Sequence, residues 1–156
     1  MQTGALGGNT AWDYVAQNIT SAAGDIGRVS IYFRNVGIPV YTITAYIYDG
    51  HVGNSVNTPA GGNTLLGTST NTFLSTEISS SLELYYFYFN DILVNSDYSI
   101  VLGFTDRGTW DGSNKLDIGI GTPPPVDGLN TSVYYTITYD FRSSTTTSIT
   151  VDYTGL

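Results

Sequence analysis

Residues 82–106 read LELYYFYFNDILVNSDYSIVLGFTD and decide the fold, because no other stretch is as dense in aromatic and β-branched residues. With a period of two, the side chains of Tyr85, Phe87 and Phe89 share one face of an extended strand. A polar turn at residues 95–97 separates this strand from a second alternating segment. Two strands joined so closely predict an antiparallel hairpin at the centre of a β fold.

The same alternation continues outward from this hairpin, between turns rich in Gly, Pro, Asn and Ser. Residues 26–36, for example, place Val29, Ile31 and Phe33 inward and Tyr32 outward. No segment shows the 3.6-residue apolar period of a helix. Strands are predicted at residues 10–20, 26–36, 40–49, 64–70, twice within 82–106, and at 115–121, 132–141 and 145–153. This pattern is typical of an all-β protein, an antiparallel β-sandwich of eight or nine strands.

The chain has 156 residues and no cysteine, which bounds both its size and its chemistry. We expect a single sandwich domain over residues 10–156, preceded by a Gly-rich, flexible arm at residues 1–9. The lack of cysteine excludes disulfides, thiolate metal sites and a cysteine nucleophile. The net charge of −8 argues against nucleic acid as a partner, because binding a phosphate backbone needs a basic surface.

Membrane insertion is not expected, because no run approaches the about 20 apolar residues of a spanning helix. Only 12% of the residues are charged, so the surface is hydrated by hydroxyls and amides. This composition favours an extracellular or virion-surface location. Residues 1–9 lack the basic start and apolar run of a secretory signal, which favours either a removed leader or a virion protein released by lysis.

Several segments between residues 10 and 106 follow one another in a characteristic order. They are DYVAQNIT, IGRVSIYFRNVGIPVYTITAYIYD, a Gly-rich loop, TLLGTST and YFYFNDILVNSDYSIVLGF. In this order the chain resembles the jelly-roll modules of carbohydrate-binding domains and of exposed bacterial and phage surface proteins. The resemblance implies a jelly-roll sandwich. Because the shared motifs are structural rather than catalytic, they support the fold more than any ligand.

The chain offers few groups for catalysis. His51 is the only histidine, and neither Ser55 nor Asp49 near it lies in a nucleophile motif. A glycoside hydrolase would need two facing carboxylates, and the only glutamates, Glu77 and Glu83, stand beside a strand start where solvation explains them. We therefore expect a protein that is not an enzyme, with a glycoside hydrolase as the least favoured alternative.

Calcium is the one cofactor that the composition allows, because calcium needs only oxygen ligands. Asp106, Asp111 and Asp117 lie in one short segment, DRGTWDGSNKLD, without the spacing of an EF-hand. Asp and Asn are also the usual residues of turns, so we favour a solvated loop with no cofactor and keep structural calcium as the alternative. The resemblance to carbohydrate-binding jelly rolls, which often hold structural calcium, adds weight to a calcium site at these three aspartates.

Trp110 and a set of outward tyrosines are the candidate binding residues. Trp110 lies in a polar loop between Gly108 and Gly112, where an indole can stack on a sugar, fit a partner or fold back to cap the sandwich. Five tyrosines are predicted on outer strand faces: Tyr32, Tyr46, Tyr48, Tyr86 and Tyr88. Tyrosine is enriched in protein interfaces, although it is also a good strand former on a wet surface.

These residues favour a structural or interaction protein of a virion or cell surface, such as a capsid decoration, fibre or adhesive subunit. Aromatic residues on both faces of a strand predict a neighbour that covers the second face, so we expect a homo-oligomer or docking on other surface proteins. The arm at residues 1–9 and the strand at residues 145–153 offer further holds on that neighbour. The alternative is a carbohydrate-binding module that takes glycans as partners through Trp110 and the outward tyrosines.

Overall fold

The chain folds into β-strands over most of the residues that the computed structural model describes. Those residues are 2–6, 14–19, 24–52, 63–106, 108, 113–120, 134–138 and 144–154. The strands are β1 (Gln2–Leu6), β2 (Tyr14–Ile19), β3 (Gly24–Val36), β4 (Thr42–Asp49), β5 (Leu65–Leu74), β6 (Glu83–Val94), β7 (Tyr98–Thr105), β8 (Lys115–Ile120), β9 (Tyr134–Thr138) and β10 (Ser144–Thr154). A 3-10 turn at Ser75–Glu77 follows β5. The prediction of an all-β protein is confirmed, with ten strands described against the eight or nine expected.

Two antiparallel sheets form the sandwich, and we call them sheet I and sheet II. Sheet II has the order β2-β7-β4-β5, and sheet I contains β1-β8-β3-β6, with β10 and then β9 added along β3. The long strand β3 pairs with β6 on one edge, from Gly24 to Phe33, while β8 and β10 share its other edge. From β1 to β8, the orders 1-8-3-6 and 2-7-4-5 are those of an eight-stranded jelly roll, which agrees with the predicted sandwich.

The predicted hairpin at residues 82–106 is wrong, although both of its strands exist. β6 pairs with β3 in sheet I, whereas β7 lies between β2 and β4 in sheet II. The connection at residues 95–97 therefore crosses from one sheet to the other, and the backbone oxygen of Asp97 accepts a hydrogen bond from the Gly50 amide. This crossing lets Phe87 and Ile100 face the same core from opposite sides. A hairpin would have placed the two apolar faces side by side in one sheet.

Both chain ends also differ from expectation. Residues 1–9 are predicted to be a flexible arm, but Gln2–Leu6 forms β1, paired with β8 in register from Gln2↔Ile120 to Leu6↔Leu116. The backbone hydrogen bonds that cover the edge of β8 offset the entropy of ordering a Gly-containing strand. Likewise β10, predicted as a hold on a neighbour, pairs with β3 and β9 of its own chain.

The core between the sheets is built by the predicted inward faces. Val29, Ile31 and Phe33 of β3 are fully buried, and so are Phe87 of β6 and Ile43 of β4. The ring of Phe33 meets Phe87 edge-on at a centroid distance of 6.3 Å. The ring of Phe73, from β5, contacts Phe87 at 5.2 Å and so links the two sheets at their shared edge. The period-two prediction is confirmed for these strands, while Trp12 lies outside the described residues.

Asn71 closes the edge where β5 of sheet II runs beside β6 of sheet I. Its Nδ2 donates to the Tyr86 carbonyl at 2.9 Å, and its Oδ1 accepts from the Tyr88 amide at 2.9 Å. The side-chain amide thus bonds to β6 as a neighbouring strand would. A register shift in the β4–β5 pairing between Thr44 and Tyr46 accompanies this reach. The exposed backbone of an edge strand, which otherwise invites association, is satisfied here within the chain.

Candidate interaction surfaces

The five predicted outward tyrosines divide between the two outer faces of the sandwich. Tyr32 of β3 and Tyr86 and Tyr88 of β6 lie on the outside of sheet I, whereas Tyr46 and Tyr48 of β4 lie on the outside of sheet II. None of the five is buried, in contrast to the inward residues that alternate with them. The sequence pattern therefore predicts the outward direction but does not reveal that two separate surfaces result.

The sheet I face carries a row of aromatic and cationic side chains. The rings of Tyr86 and Tyr88 stack with centroids 6.5 Å apart and planes inclined by 25°. The guanidinium of Arg28 lies over the Tyr86 ring, 4.8 Å from its centroid. This cation–π contact adds favourable energy and holds the Tyr86 ring in place. Tyr88 is 49% exposed, so most of the accessible ring surface of this row belongs to Tyr88.

Charge on the sheet I face is concentrated in an ion-pair cluster beside this row. Arg34 donates from Nε and Nη2 to Oδ2 of Asp117, at 3.0 and 2.9 Å. Lys115 Nζ lies 3.8 Å from the other carboxylate oxygen of Asp117. The backbone register that places Arg34 opposite Asp117 brings the pair together from β3 and β8. The described lysine and arginine side chains, Arg28, Arg34 and Lys115, therefore all belong to sheet I.

The predicted calcium ligands do not converge in the part of the chain that the structure describes. Asp117 is buried and held by two cations, so its carboxylate is poorly placed to bind calcium. Asp106, which follows β7 in sheet II, accepts hydrogen bonds at Oδ2 from the hydroxyls of Thr42 and Thr105. No group of three or more His, Cys, Asp or Glu side chains suited to a metal occurs among the described residues. Asp111 and Trp110 lie outside those residues, so their roles stay predictions.

The sheet II face is built differently, around Tyr46 and Tyr48. Their ring centroids are 6.5 Å apart, with planes inclined by 52°. The Tyr46 ring lies on Gly103 of β7, where a Cβ would come within 2.8 Å of the ring. A residue larger than glycine at this position would lift the ring off the sheet. Partial burial raises the pKa of the Tyr48 hydroxyl, and electrostatic repulsion from the nearby Tyr46 hydroxyl raises it further.

Hydroxyl, apolar and glycine residues fill the outward positions of the strands in sheet II. In register across three strands, these are Thr42, Thr44, Tyr46 and Tyr48 of β4, Leu65, Thr68, Thr72 and Leu74 of β5, and Ser99, Val101, Gly103 and Thr105 of β7. No charged residue is among them, and the acidic side chains nearby, Asp49 and Asp106, stand at the strand ends. Ser99 and Val101 are buried within the chain, so the uncharged outer face that the described part of sheet II presents is formed mainly by β4 and β5.

His51 lies at one end of sheet II, close to a serine and a carboxylate. Its Nε2 is 3.6 Å from Asp97 Oδ2 and 3.3 Å from the Ile19 carbonyl oxygen. Ser99 is buried, and its hydroxyl donates to the Gly50 carbonyl at 2.7 Å and accepts from the Val52 amide at 3.0 Å. The serine hydroxyl is therefore used to fix the loop after β4, and its proton is directed to a carbonyl rather than to the histidine. In this arrangement the Ser99 hydroxyl is bonded to the backbone of the loop, whereas in a catalytic triad the serine hydroxyl is bonded to the histidine. Ser55 lies outside the described residues.

Sequence reasoning missed the exposed apolar side chains near the β5–β6 edge. Leu65, Leu66 and Leu74 of β5 and Leu93 of β6 are all exposed. A signal was present, because adjacent leucines at 65 and 66 cannot both face inward on a regular strand. Arg28 was missed as well, since its position over Tyr86 depends on the pairing of β3 with β6. The exposed leucines of β5 belong to sheet II, and Leu93 belongs to sheet I, so both sheets carry exposed apolar side chains on their neighbouring edge strands.

Comparison with models of known protein families, with curated proteins and with solved structures gives no match to this chain. Among the described residues, no helix is both long and apolar enough to cross a membrane.

Proposed function

We propose that this chain is a non-catalytic structural or interaction subunit of a virion or cell surface, which assembles through the outer faces of its sandwich. The observation that carries the proposal is the presence of aromatic side chains outside a core that is already filled. Phe33, Phe87 and Ile43 pack between the sheets, so Tyr48, Tyr86 and Tyr88 are not required there. Large rigid aromatic groups on a surface are typical of protein interfaces.

Exposed leucines support the same proposal. Leu74 is 51% exposed and Leu65 is 46% exposed, and both project on the side of sheet II that carries Tyr46 and Tyr48. The two leucines lie at opposite ends of β5, and Leu65 pairs with Tyr48, so it adds apolar surface beside an exposed ring. Apolar and aromatic side chains that adjoin in this way mark sites of association more than single exposed ones do. The low content of charged residues, 12%, favours a surface that is covered by other subunits or hydrated by hydroxyls. Capsid decorations, fibres and adhesive subunits are the kinds of protein that meet this description.

Static light scattering over a range of protein concentrations tests the proposal. We expect the purified chain to associate, and at least one of two outer-face variants to weaken that association: Tyr48→Ser on sheet II or Tyr86→Ser/Tyr88→Ser on sheet I. Asn90→Ser, an exposed polar position on β6, is the matched control and should leave association unchanged. A chain that stays monomeric at high concentration, or whose association ignores every outer-face substitution, contradicts the proposal.

Carbohydrate binding is a second candidate, and the row on the sheet I face favours it. The nearly parallel rings of Tyr86 and Tyr88 offer aromatic surface for a sugar ring, and the Arg28 guanidinium beside them can donate hydrogen bonds to sugar hydroxyls. Screening against a glycan array, with Tyr88→Ala as comparison, tests this candidate. Binding that disappears in Tyr88→Ala would favour it, and the lack of any bound glycan would remove it. Repeating the screen with a chelator would show whether calcium takes part.

A further inference from the structure

We propose that the uncharged outer face of sheet II is the surface through which two copies of this chain pack, face to face about a two-fold axis. This inference rests on the proposed function and names the partner and the face. We call the surface formed by the outward residues of β4, β5 and β7 the sheet II face. Its partner is a second copy, rather than a chemically different molecule, for two reasons that follow from its residues.

The first reason is charge. The chain has a net charge of −8, so most approaches of two copies oppose acidic surfaces. At physiological salt, repulsion is screened beyond about 8 Å, so the charges at the contact itself matter most. The sheet II face has no charged residue at the outward positions of β4, β5 and β7. Two copies that meet there neither oppose like charges nor bury an unpaired one. In contrast, the sheet I face would bring Arg28, Arg34 and Lys115 near their own copies.

The second reason is that hydroxyl groups complement themselves. A two-fold interface places the same patch on both sides, so each group must be able to bond to a group of its own kind. Each threonine or tyrosine hydroxyl both donates and accepts, whereas a lysine or arginine side chain only donates. Thr44 and Thr72 lie side by side in the register, next to Tyr46, and so supply such groups at the middle of the face. Leu65 and Leu74 add apolar area at its border.

The size of the face fits a small interface. Three strands about 4.8 Å apart, with about eight residues each at roughly 3.3 Å, give a footprint of roughly 14 by 26 Å. Protruding side chains make the accessible area larger than this flat footprint, but it stays below the about 800 Å² that each partner contributes to a standard interface, so we expect weak association. Sheets stacked face to face in this way pack about 10 Å apart with nearly aligned strands. Tyr46 and Tyr48 would lie inside the contact.

Introducing a charge of either sign at Thr72 tests the inference. Thr72 is exposed, and we expect both Thr72→Lys and Thr72→Asp to weaken self-association at least tenfold in sedimentation equilibrium, because each buries an unpaired charge. The lysine variant separates this effect from overall repulsion, since it lowers the net negative charge. Asn90→Lys and Asn90→Asp, at an exposed position of β6 in sheet I, are matched controls expected to associate like the wild type. Thr68→Lys, also exposed, repeats the test should a Thr72 variant fold poorly.

The outcomes separate this inference from the function on which it rests. Association that survives both Thr72 substitutions but is lost in Tyr86→Ser/Tyr88→Ser overturns the sheet II contact and leaves an interaction subunit that uses sheet I. A Thr72→Lys variant that associates more tightly than the wild type also overturns it, because general repulsion would then be the controlling term. A wild-type chain that is monomeric at every concentration overturns both proposals.

Discussion

The two outer faces of this sandwich differ in how their tyrosines are supported. On sheet I, Tyr86 and Tyr88 stack on each other under the guanidinium of Arg28, beside an ion pair of Arg34 with Asp117. On sheet II, Tyr46 lies flat on a glycine, and its neighbours are hydroxyl and apolar residues. The same residue type therefore lies on a surface with charged side chains in sheet I and on an uncharged surface in sheet II, the face that we propose for self-association. Substitutions on the two faces can therefore show which side chains stabilise the fold and which ones promote self-association.

The largest effect is expected behind the faces, in the shared core. Phe87→Ala, behind sheet I, and Ile100→Ala, behind sheet II, should each lower the free energy of unfolding by about 2–5 kcal/mol, because both side chains are buried and their loss leaves a cavity. Tyr88→Ala should cost clearly less in the monomer, since its ring is half exposed. Chemical denaturation measures all three, and equal losses for Phe87→Ala and Tyr88→Ala would show that the outer and inner faces are wrongly assigned.

The ion pair on sheet I should give the next largest effect. Asp117→Ala removes the buried carboxylate that accepts two hydrogen bonds from Arg34, and we expect a loss of about 1–3 kcal/mol because Arg34 is only partly exposed. Arg34→Ala leaves that carboxylate buried with Lys115 as its remaining cation, so it should cost a similar amount. Thermal unfolding with and without a chelator checks both. A wild type that loses stability on chelation while Asp117→Ala does not would instead favour calcium at this carboxylate.

Gly103→Ala tests the support of Tyr46 on sheet II. The added methyl group would meet the ring at 2.8 Å, so the ring must move away, at a cost of about 1 kcal/mol typical of modest overpacking. The displaced ring should also weaken self-association through sheet II. Asn71→Ala, at the β5–β6 edge, should leave self-association unchanged. Sedimentation of the two variants compares them. An unaltered stability and association of Gly103→Ala would mean that Tyr46 does not depend on this glycine.

The smallest expected effect is the dependence of stability on alkaline pH. Burial, the neighbouring Tyr85 and, in the opposite direction, a hydrogen bond with Asn35 leave the pKa of the Tyr41 hydroxyl above its ordinary value. A raised pKa in the folded state means that the unfolded chain releases the proton first. The stability is therefore complete below about pH 10, the ordinary tyrosine pKa, and falls as the pH rises above it. Tyr41→Phe should flatten this fall more than Tyr48→Phe, and urea unfolding between pH 9 and about pH 11 measures both slopes.

The sequence predicted the strands well because alternation is a local property. Val29, Ile31 and Phe87 face inward as expected, since each strand must bury one side. Alternation does not specify which sheet a strand joins. The polar turn at residues 95–97 therefore predicts a hairpin, whereas the chain crosses there from one sheet to the other. The flexible arm was wrong for a related reason, because Gln2–Leu6 is ordered by pairing with β8, more than one hundred positions away in the chain.

The sites were harder to predict because they depend on pairing over long distances. Arg34 and Asp117 are 83 residues apart, so only the β3–β8 register brings them together, and the same pairing makes Asp117 a poor calcium ligand. The division of the tyrosines between two faces follows from the sheet membership of β4 and β6 rather than from any local signal. The role of Asn71 could not be predicted either, since a turn-forming residue within a strand has no sequence signature for bridging two sheets.

Footprinting of tyrosine side chains by hydroxyl radicals, at a low and a high protein concentration, tests the difference between the faces most directly. As concentration rises, we predict that Tyr46 and Tyr48 lose reactivity, because they become covered by a second copy, while Tyr86 and Tyr88 keep theirs. Buried Tyr98 provides an unreactive reference at both concentrations. Protection of Tyr86 and Tyr88 in place of Tyr46 and Tyr48, or reactivity that does not depend on concentration at any tyrosine, would contradict the account.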